Sequence, residues 1–125
     1  MDTSALAAEL SGRIIGSRDP EYDAARRVYN SLHDRRPAFI VQPAGADDIA
    51  RTLAFATKAG LPLAIRSGGH SLAGYGTVDD GMVIDLSSMR GIDIDRGTRT
   101  VWADAGVTAG EFFRRNLNIV PHTSW

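Results

Sequence analysis

Cysteine is absent from this chain, which excludes disulfides, thiolate metal ligands and a cysteine nucleophile and fits a reducing, cytoplasmic setting. A surplus of charge is missing too. The 14 basic residues meet 15 acidic ones, so nothing draws the chain to nucleic acid or an anionic membrane, and any phosphate must be gripped locally. Lysine is nearly absent, Lys58 being the single one, and the arginine-heavy remainder reads as a compositional bias rather than a site. No apolar run approaches the roughly 20 residues of a membrane-spanning helix. The segment Met1 to Leu10 carries Asp2 and Glu9 where a signal peptide is apolar, and it has no basic leader, so a cytoplasmic location is expected. At 125 residues there is room for one domain and not two.

What is present is organised by period and punctuation. Residues 4–10 read as a short helix, and Tyr22 to Tyr29 as another after the Asp19-Pro20 break. Phe39-Ile40-Val41, bounded by prolines, has the look of a buried strand. Asp47 and Asp48 open a helix at its positive end, Lys58 sits near its negative end, and Gly60 followed by Pro62 stops it. The spacing of Ile49, Leu53 and Ala56 predicts the face that this helix buries. Leu63-Ala64-Ile65 follows as a strand, so residues 38–66 form a βαβ unit with a parallel pair. Residues 67–81 form a long ordered loop, and Met82 to Leu86 returns as a strand. Ile92-Asp93-Ile94 and Thr100-Val101-Trp102 alternate around Asp95 to Thr98, which predicts a hairpin with its apolar side toward a core. Thr108 and Glu111 match a capping box opening a helix over about 109–117. The tail from Asn118 to Trp125 has no period.

Chemistry concentrates in Arg66-Ser67-Gly68-Gly69-His70-Ser71, directly after a strand. Adjacent glycines allow positive φ and close backbone approach to a bulky anion, and the histidine adds a nitrogen nucleophile or donor at the same turn. Other motifs fail here. Gly69 and Gly74 have Walker spacing, but Tyr75 stands where a lysine must reach phosphate. The run from Ser71 to Gly81 has no helical period, so the helix N-terminus of a Rossmann pyrophosphate site is missing. Asp93 and Asp95 lack the glycine and glutamate of a calcium loop.

The hexapeptide, together with Gly74, Gly76 and Val83-Ile84-Asp85-Leu86-Ser87-Ser88-Met89, resembles the vanillyl-alcohol-oxidase and p-cresol-methylhydroxylase (PCMH-type) flavoproteins, with the berberine-bridge-like branch nearest. Tyr22-Asp23, Asn30, Pro37-Ala38, Asp48-Ile49, Ala56 and the stretch from Asp95 to Gly106 extend the likeness to about residue 117. The resemblance implies an α+β fold: a small mixed sheet with a βαβ unit flanked by helices, then a β-hairpin and a capped helix. It implies a first subdomain over about 1–87 and the start of a second over about 91–125, incomplete at the C-terminus. It implies that Arg66, Ser67, Gly68, Gly69, His70 and Ser71 bind FAD, with the diphosphate on backbone N–H groups and His70 bonded to the flavin 8α-methyl carbon. A neutral imidazole is a competent nucleophile near pH 7. The family's second glycine loop and catalytic base have no counterpart in this sequence, so no catalytic residue is assigned.

Each residue also has a plainer role. His70 can be a loop histidine bonded to backbone, Arg66 a strand-end surface charge, and Ser67 and Ser71 local turn caps. Tyr75 can stack on a ring or cover the core edge, Asp85 can cap a turn, and His33 and His122 receive no role. Trp102 and Phe112 have the spacing of core residues. Two functions remain in view: the FAD-binding portion of an oxidoreductase acting on a small-molecule substrate, without nucleic-acid or membrane partners, and a non-catalytic fragment or small nucleotide-binding module. Oligomeric state is not legible.

Overall fold

The computed structural model describes residues 2–116. Helix α1 (Ser4–Glu9) leads into strand β1 (Arg13–Gly16), the one-turn helix α2 (Tyr22–Ala25), strand β2 (Phe39–Gln42) and the long helix α3 (Ala46–Ala59). Strands β3 (Leu63–Arg66) and β4 (Met82–Asp85) complete a four-stranded sheet in the order β1-β2-β4-β3. β1 runs antiparallel to β2, and the other neighbours are parallel. A 3-10 turn over Leu86–Ser88 then feeds a separate hairpin of β5 (Ile92–Asp95) and β6 (Thr100–Ala103), followed by α4 (Ala109–Asn116). This is the expected mixed α+β architecture.

Strand alternation sorts the apolar residues between two layers. Ile15, Ile40, Ala64 and Val83 meet Tyr22 of α2 on one face, while Val41 and Met82 meet Leu6 of α1 and Ala56 of α3 on the other. β4 lies between two parallel neighbours, and all four of its residues are buried. The βαβ expectation therefore needs one amendment: β2 and β3 are parallel but not adjacent, because β4 inserts between them.

Other elements also depart from the sequence pattern. β1 has only Arg13, Ile14 and Ile15 between Gly12 and Gly16, too short for a visible alternation, and exists through its register with β2. The helix expected to run to Tyr29 stops at Ala25; the Ala25 carbonyl instead accepts from the Arg66 guanidinium at 2.5 Å. Trp102 is 78% exposed, because its register partner is Asp93 on the hairpin face opposite the half-buried Ile92, Ile94 and Val101, and Phe112 of α4 is half-buried. His122 and the tail from 118 to 125 lie outside the described residues. The capping box forms as expected, with the Thr108 amide donating to Glu111 Oε2 at 2.8 Å and the Glu111 amide to Thr108 Oγ1 at 3.3 Å.

α3 is rotated from its expected phase. Its buried residues are Asp48, Thr52 and Ala56, and Leu53 is 38% exposed. The Asp48 carboxylate explains the rotation, because it accepts from the amides of Ala44, Gly12 and Ser11 at 2.8, 2.8 and 3.0 Å. Thr52 is silenced by donating its hydroxyl to the Asp48 carbonyl at 2.7 Å. Asp48 thus joins the start of α3 to the entry of β1, and the amide of Ala44, opposed by burial and helped by Ser11, Gly12 and Arg51, holds its carboxyl below the usual carboxylate range.

Replacing this group tests the join. Asp48→Asn should lower unfolding free energy by about 1–3 kcal/mol at pH 7, as expected for part-buried charge-assisted bonds to a buried carboxylate. Because the folded-state pKa lies below the unfolded value of about 3.9, the carboxylate's contribution is complete above that value and is lost as pH falls through the folded pKa. Urea unfolding followed by circular dichroism should show the gap between wild type and Asp48→Asn narrowing below about pH 4; a gap of constant size would contradict the assignment.

Candidate functional site

The C-terminal ends of β2, β4 and β3 carry a polar row across the sheet. Arg66 and Asp85 are register partners on β3 and β4, and their side chains form an ion pair of 3.0 Å with both residues buried. Gln42 of β2 donates to the same Asp85 oxygen at 3.1 Å, and the Ser87 amide donates to the other at 3.1 Å. Burial pushes the Asp85 carboxyl up; the Gln42 hydrogen bond, the Arg66 guanidinium and Ser87 outweigh it, so the group stays below the usual carboxylate range. An ionised Asp85 is what the buried guanidinium requires.

Arg66 is therefore not the surface charge that its place at a strand end suggested. It is 6% exposed, and its remaining donors reach the carbonyls of Ala25 at 2.5 Å and Arg27 at 3.2 Å. The guanidinium is turned beneath the glycine loop and occupied by protein acceptors. It braces the segment 25–29 against the strand from which the loop emerges.

Above that brace the loop is open. Ser67, Gly68 and His70 are exposed, and Gly69 and Ser71 are half-buried. Gly69 has φ +71°, a left-handed conformation that disfavours any side chain and is the kind used where successive amides form an anion-binding nest. Among the described residues, the amides of Ser67, Gly68, Gly69, His70 and Ser71 have no protein acceptor. A run of unspent N–H groups around a left-handed glycine is suited to a multiply charged anion. The loop's own carbonyl at Gly69 accepts from the Tyr29 amide at 3.0 Å, which fixes the loop without using its donors.

The two serines divide differently from His70. The Ser67 hydroxyl donates to the Ala105 carbonyl, tying the loop to the exit of the hairpin, and Ser71 Oγ accepts from the Tyr75 amide at 3.1 Å as a turn cap. The His70 imidazole makes no hydrogen bond among the described residues and lies 4.7 Å from the Tyr29 ring at 37°. Tyr75 is 79% exposed and covers no core edge.

Residues given no role by sequence reasoning complete the support. His33 Nε2 donates to the Leu72 carbonyl at 2.8 Å, which places the proton on that nitrogen because a carbonyl only accepts. Arg35 donates to the carbonyls of Gly74 and Thr77 at 3.2 and 3.0 Å. Residues 25–35 thus form a strap under the whole of 66–77. No local signal marks it, since each bond spans about 40 residues of chain.

A cleft of about 840 Å³ lies elsewhere, lined by residues including Gly16, Arg18, Tyr22, Arg36, Phe39 and Asp80. It adjoins the N-terminal end of β2, whereas the glycine loop leaves the C-terminal end of parallel β3. Ligands of open parallel sheets bind outside the carboxyl ends of the strands, so the loop and not the larger cleft carries the assignment. Among the described residues no cluster of three or more acidic or imidazole groups could hold a metal ion, and no helix is long and apolar enough to cross a membrane.

Comparison with known proteins agrees with that geometry. A family profile described as FAD binding domain matches residues 37–117. The chain is 35% identical over 114 residues to (R)-6-hydroxynicotine oxidase of Paenarthrobacter nicotinovorans, covering 90% of this chain and 25% of that protein. It is 39% identical over 89 residues to berberine bridge enzyme-like 9 of Arabidopsis thaliana, covering 70% and 17%. The crystal structure of 6-hydroxy-D-nicotine oxidase from Arthrobacter nicotinovorans superposes with a TM-score of 0.89 at 30% identity, over 95% of this chain and 26% of that one. The chain thus spans a quarter or less of the length of these two relatives. With the profile covering the three parallel strands of the sheet, the glycine–histidine loop and the hairpin, the chain belongs to the FAD binding domain family.

Proposed function

We propose that this chain is the FAD-binding portion of a FAD-linked oxidoreductase, comprising a first subdomain of about 1–87 and the beginning of a second at about 91. The observation that carries the reading is the set of unspent amides from Ser67 to Ser71, which offers donors where a diphosphate needs them. Gly68 and Gly69 allow the approach, Ser67 and Ser71 hold the ends of the turn, and Arg66 braces it from below. His70 is exposed beside these amides with both ring nitrogens uncommitted, which suits it to tether the flavin.

Bound FAD supplies the electron acceptor, both for a hydride from a small-molecule substrate and for the tether, which exchanges one imidazole N–H and one 8α C–H for a C–N bond. Formation of that bond through His70 would release two electrons and two protons, for which the flavin would be the acceptor and dioxygen the terminal oxidant. The part played by the chain is to bind, orient and hold. A cytoplasmic location suits its lack of cysteine.

Titration with FAD and with riboflavin, which lacks the diphosphate, tests the cradle. FAD should bind at least about tenfold more tightly, the worth of one or two charge-assisted hydrogen bonds. Gly69→Ala should erase most of that advantage and leave riboflavin binding unaltered; equal affinity for the two flavins in the wild type would contradict the assignment. A separate assay reads the tether. After aerobic incubation with FAD, denatured wild-type chain should retain flavin fluorescence and His70→Ala should retain none; retention by His70→Ala would move the attachment elsewhere. Binding of simple nucleotides with no preference for FAD would favour a phosphate-binding module without redox chemistry.

A further inference from the structure

Tyr29 stands beside His70 and supplies none of the donors that face an anion. Its ring is 76% exposed, yet it lies 4.7 Å from the His70 imidazole, tilted by 37°. On another side, the imidazole rests against Gly68, where a side-chain carbon would come within 2.8 Å of His70 Cδ2 and 3.4 Å of Nε2. The ring is bracketed by packing alone. No hydrogen bond from the described residues occupies either nitrogen.

We propose that Tyr29 is a positioning residue, whose ring and the bare backbone of Gly68 together hold the His70 imidazole in one orientation while leaving both nitrogens free to react. This rests on His70 being the flavin tether. A histidine oriented through a ring nitrogen has that nitrogen engaged, whereas one oriented by an aromatic face keeps its lone pair and its proton. The tyrosine is itself well placed to act as a fixed wall. Its amide donates to the Gly69 carbonyl at 3.0 Å, one residue before His70, and the Val28 Cα is packed 3.5 Å from the position a Gly69 side chain would take. The Arg66 guanidinium pins the carbonyls of Ala25 and Arg27 immediately upstream. The backbone of Tyr29 is therefore tied to the loop beside His70, and the ring–ring contact is made from that anchored position.

Two measurements on the 125-residue chain test this. In the flavin-free chain the His70 ring-proton resonances should carry a ring-current shift from Tyr29, retained in Tyr29→Phe and removed in Tyr29→Leu. With FAD, Tyr29→Leu should acquire acid-stable flavin about 3- to 10-fold more slowly than wild type, the range an aromatic pair is worth, with FAD affinity before attachment unaltered. Tyr29→Phe should restore the rate. Attachment in Tyr29→Leu at the wild-type rate would overturn the proposal. Should the wild type itself acquire no covalent flavin, the tether reading fails, and unchanged His70 resonances in Tyr29→Leu would then overturn the positioning role on its own evidence.

Discussion

The buried guanidinium of Arg66 is the contact on which the rest of this site depends. It meets Asp85 across the β3–β4 pair and the carbonyls of Ala25 and Arg27 on the segment beneath, so one side chain joins two strands to the strap that underlies the loop. A buried charge of this kind is tolerable only because each of these acceptors is in place, and the ionised state of Asp85 is maintained by Gln42 and Ser87 as well as by the arginine. Removing any acceptor leaves charge uncompensated at the root of the loop.

From that anchoring follows a division of labour along the hexapeptide. Groups that point downward or sideways are spent on protein: the Arg66 side chain, the Ser67 hydroxyl, the Gly69 carbonyl and the Ser71 hydroxyl. The amides and the imidazole are left over. A loop held rigidly through its side chains and carbonyls can present unsatisfied donors to solvent without collapsing onto itself, which is the preorganisation that anion binding needs. The same logic explains why the site is open and the larger cleft is not the site. The cleft lies at the opposite end of the strands, away from the carboxyl ends of the parallel ones.

Much of this was legible from local pattern. β2, β4, the hairpin, the capping box and the glycine turn announce themselves through alternation, turn residues and side-chain chemistry within a few positions of each other. What escaped was set by distant partners. Asp48 turned inward, and rotated α3 by about one residue, because amides of Ser11 and Gly12 await it across 37 and 36 residues of chain. The burial of Arg66, placed from the sequence in the FAD-binding run or at the surface, was not visible because its acceptors lie 19 and 41 residues away. β1 is too brief for a period, and the apolar look of Trp102 implied a covering layer that the described residues do not place over it. Tyr29, His33 and Arg35 belong to a segment whose sequence has no motif, and only their contacts with 69–77 reveal a purpose.

Amide hydrogen exchange, read residue by residue, tests the central claim most directly. Without ligand, the amides of Ser67 to Ser71 should exchange close to the rate of an unstructured chain, while those of β4 are protected. Addition of FAD should slow exchange selectively across those five positions. Strong protection of the five amides in the free chain, or protection by FAD confined to the cleft at Arg18 and Arg36, would contradict the account.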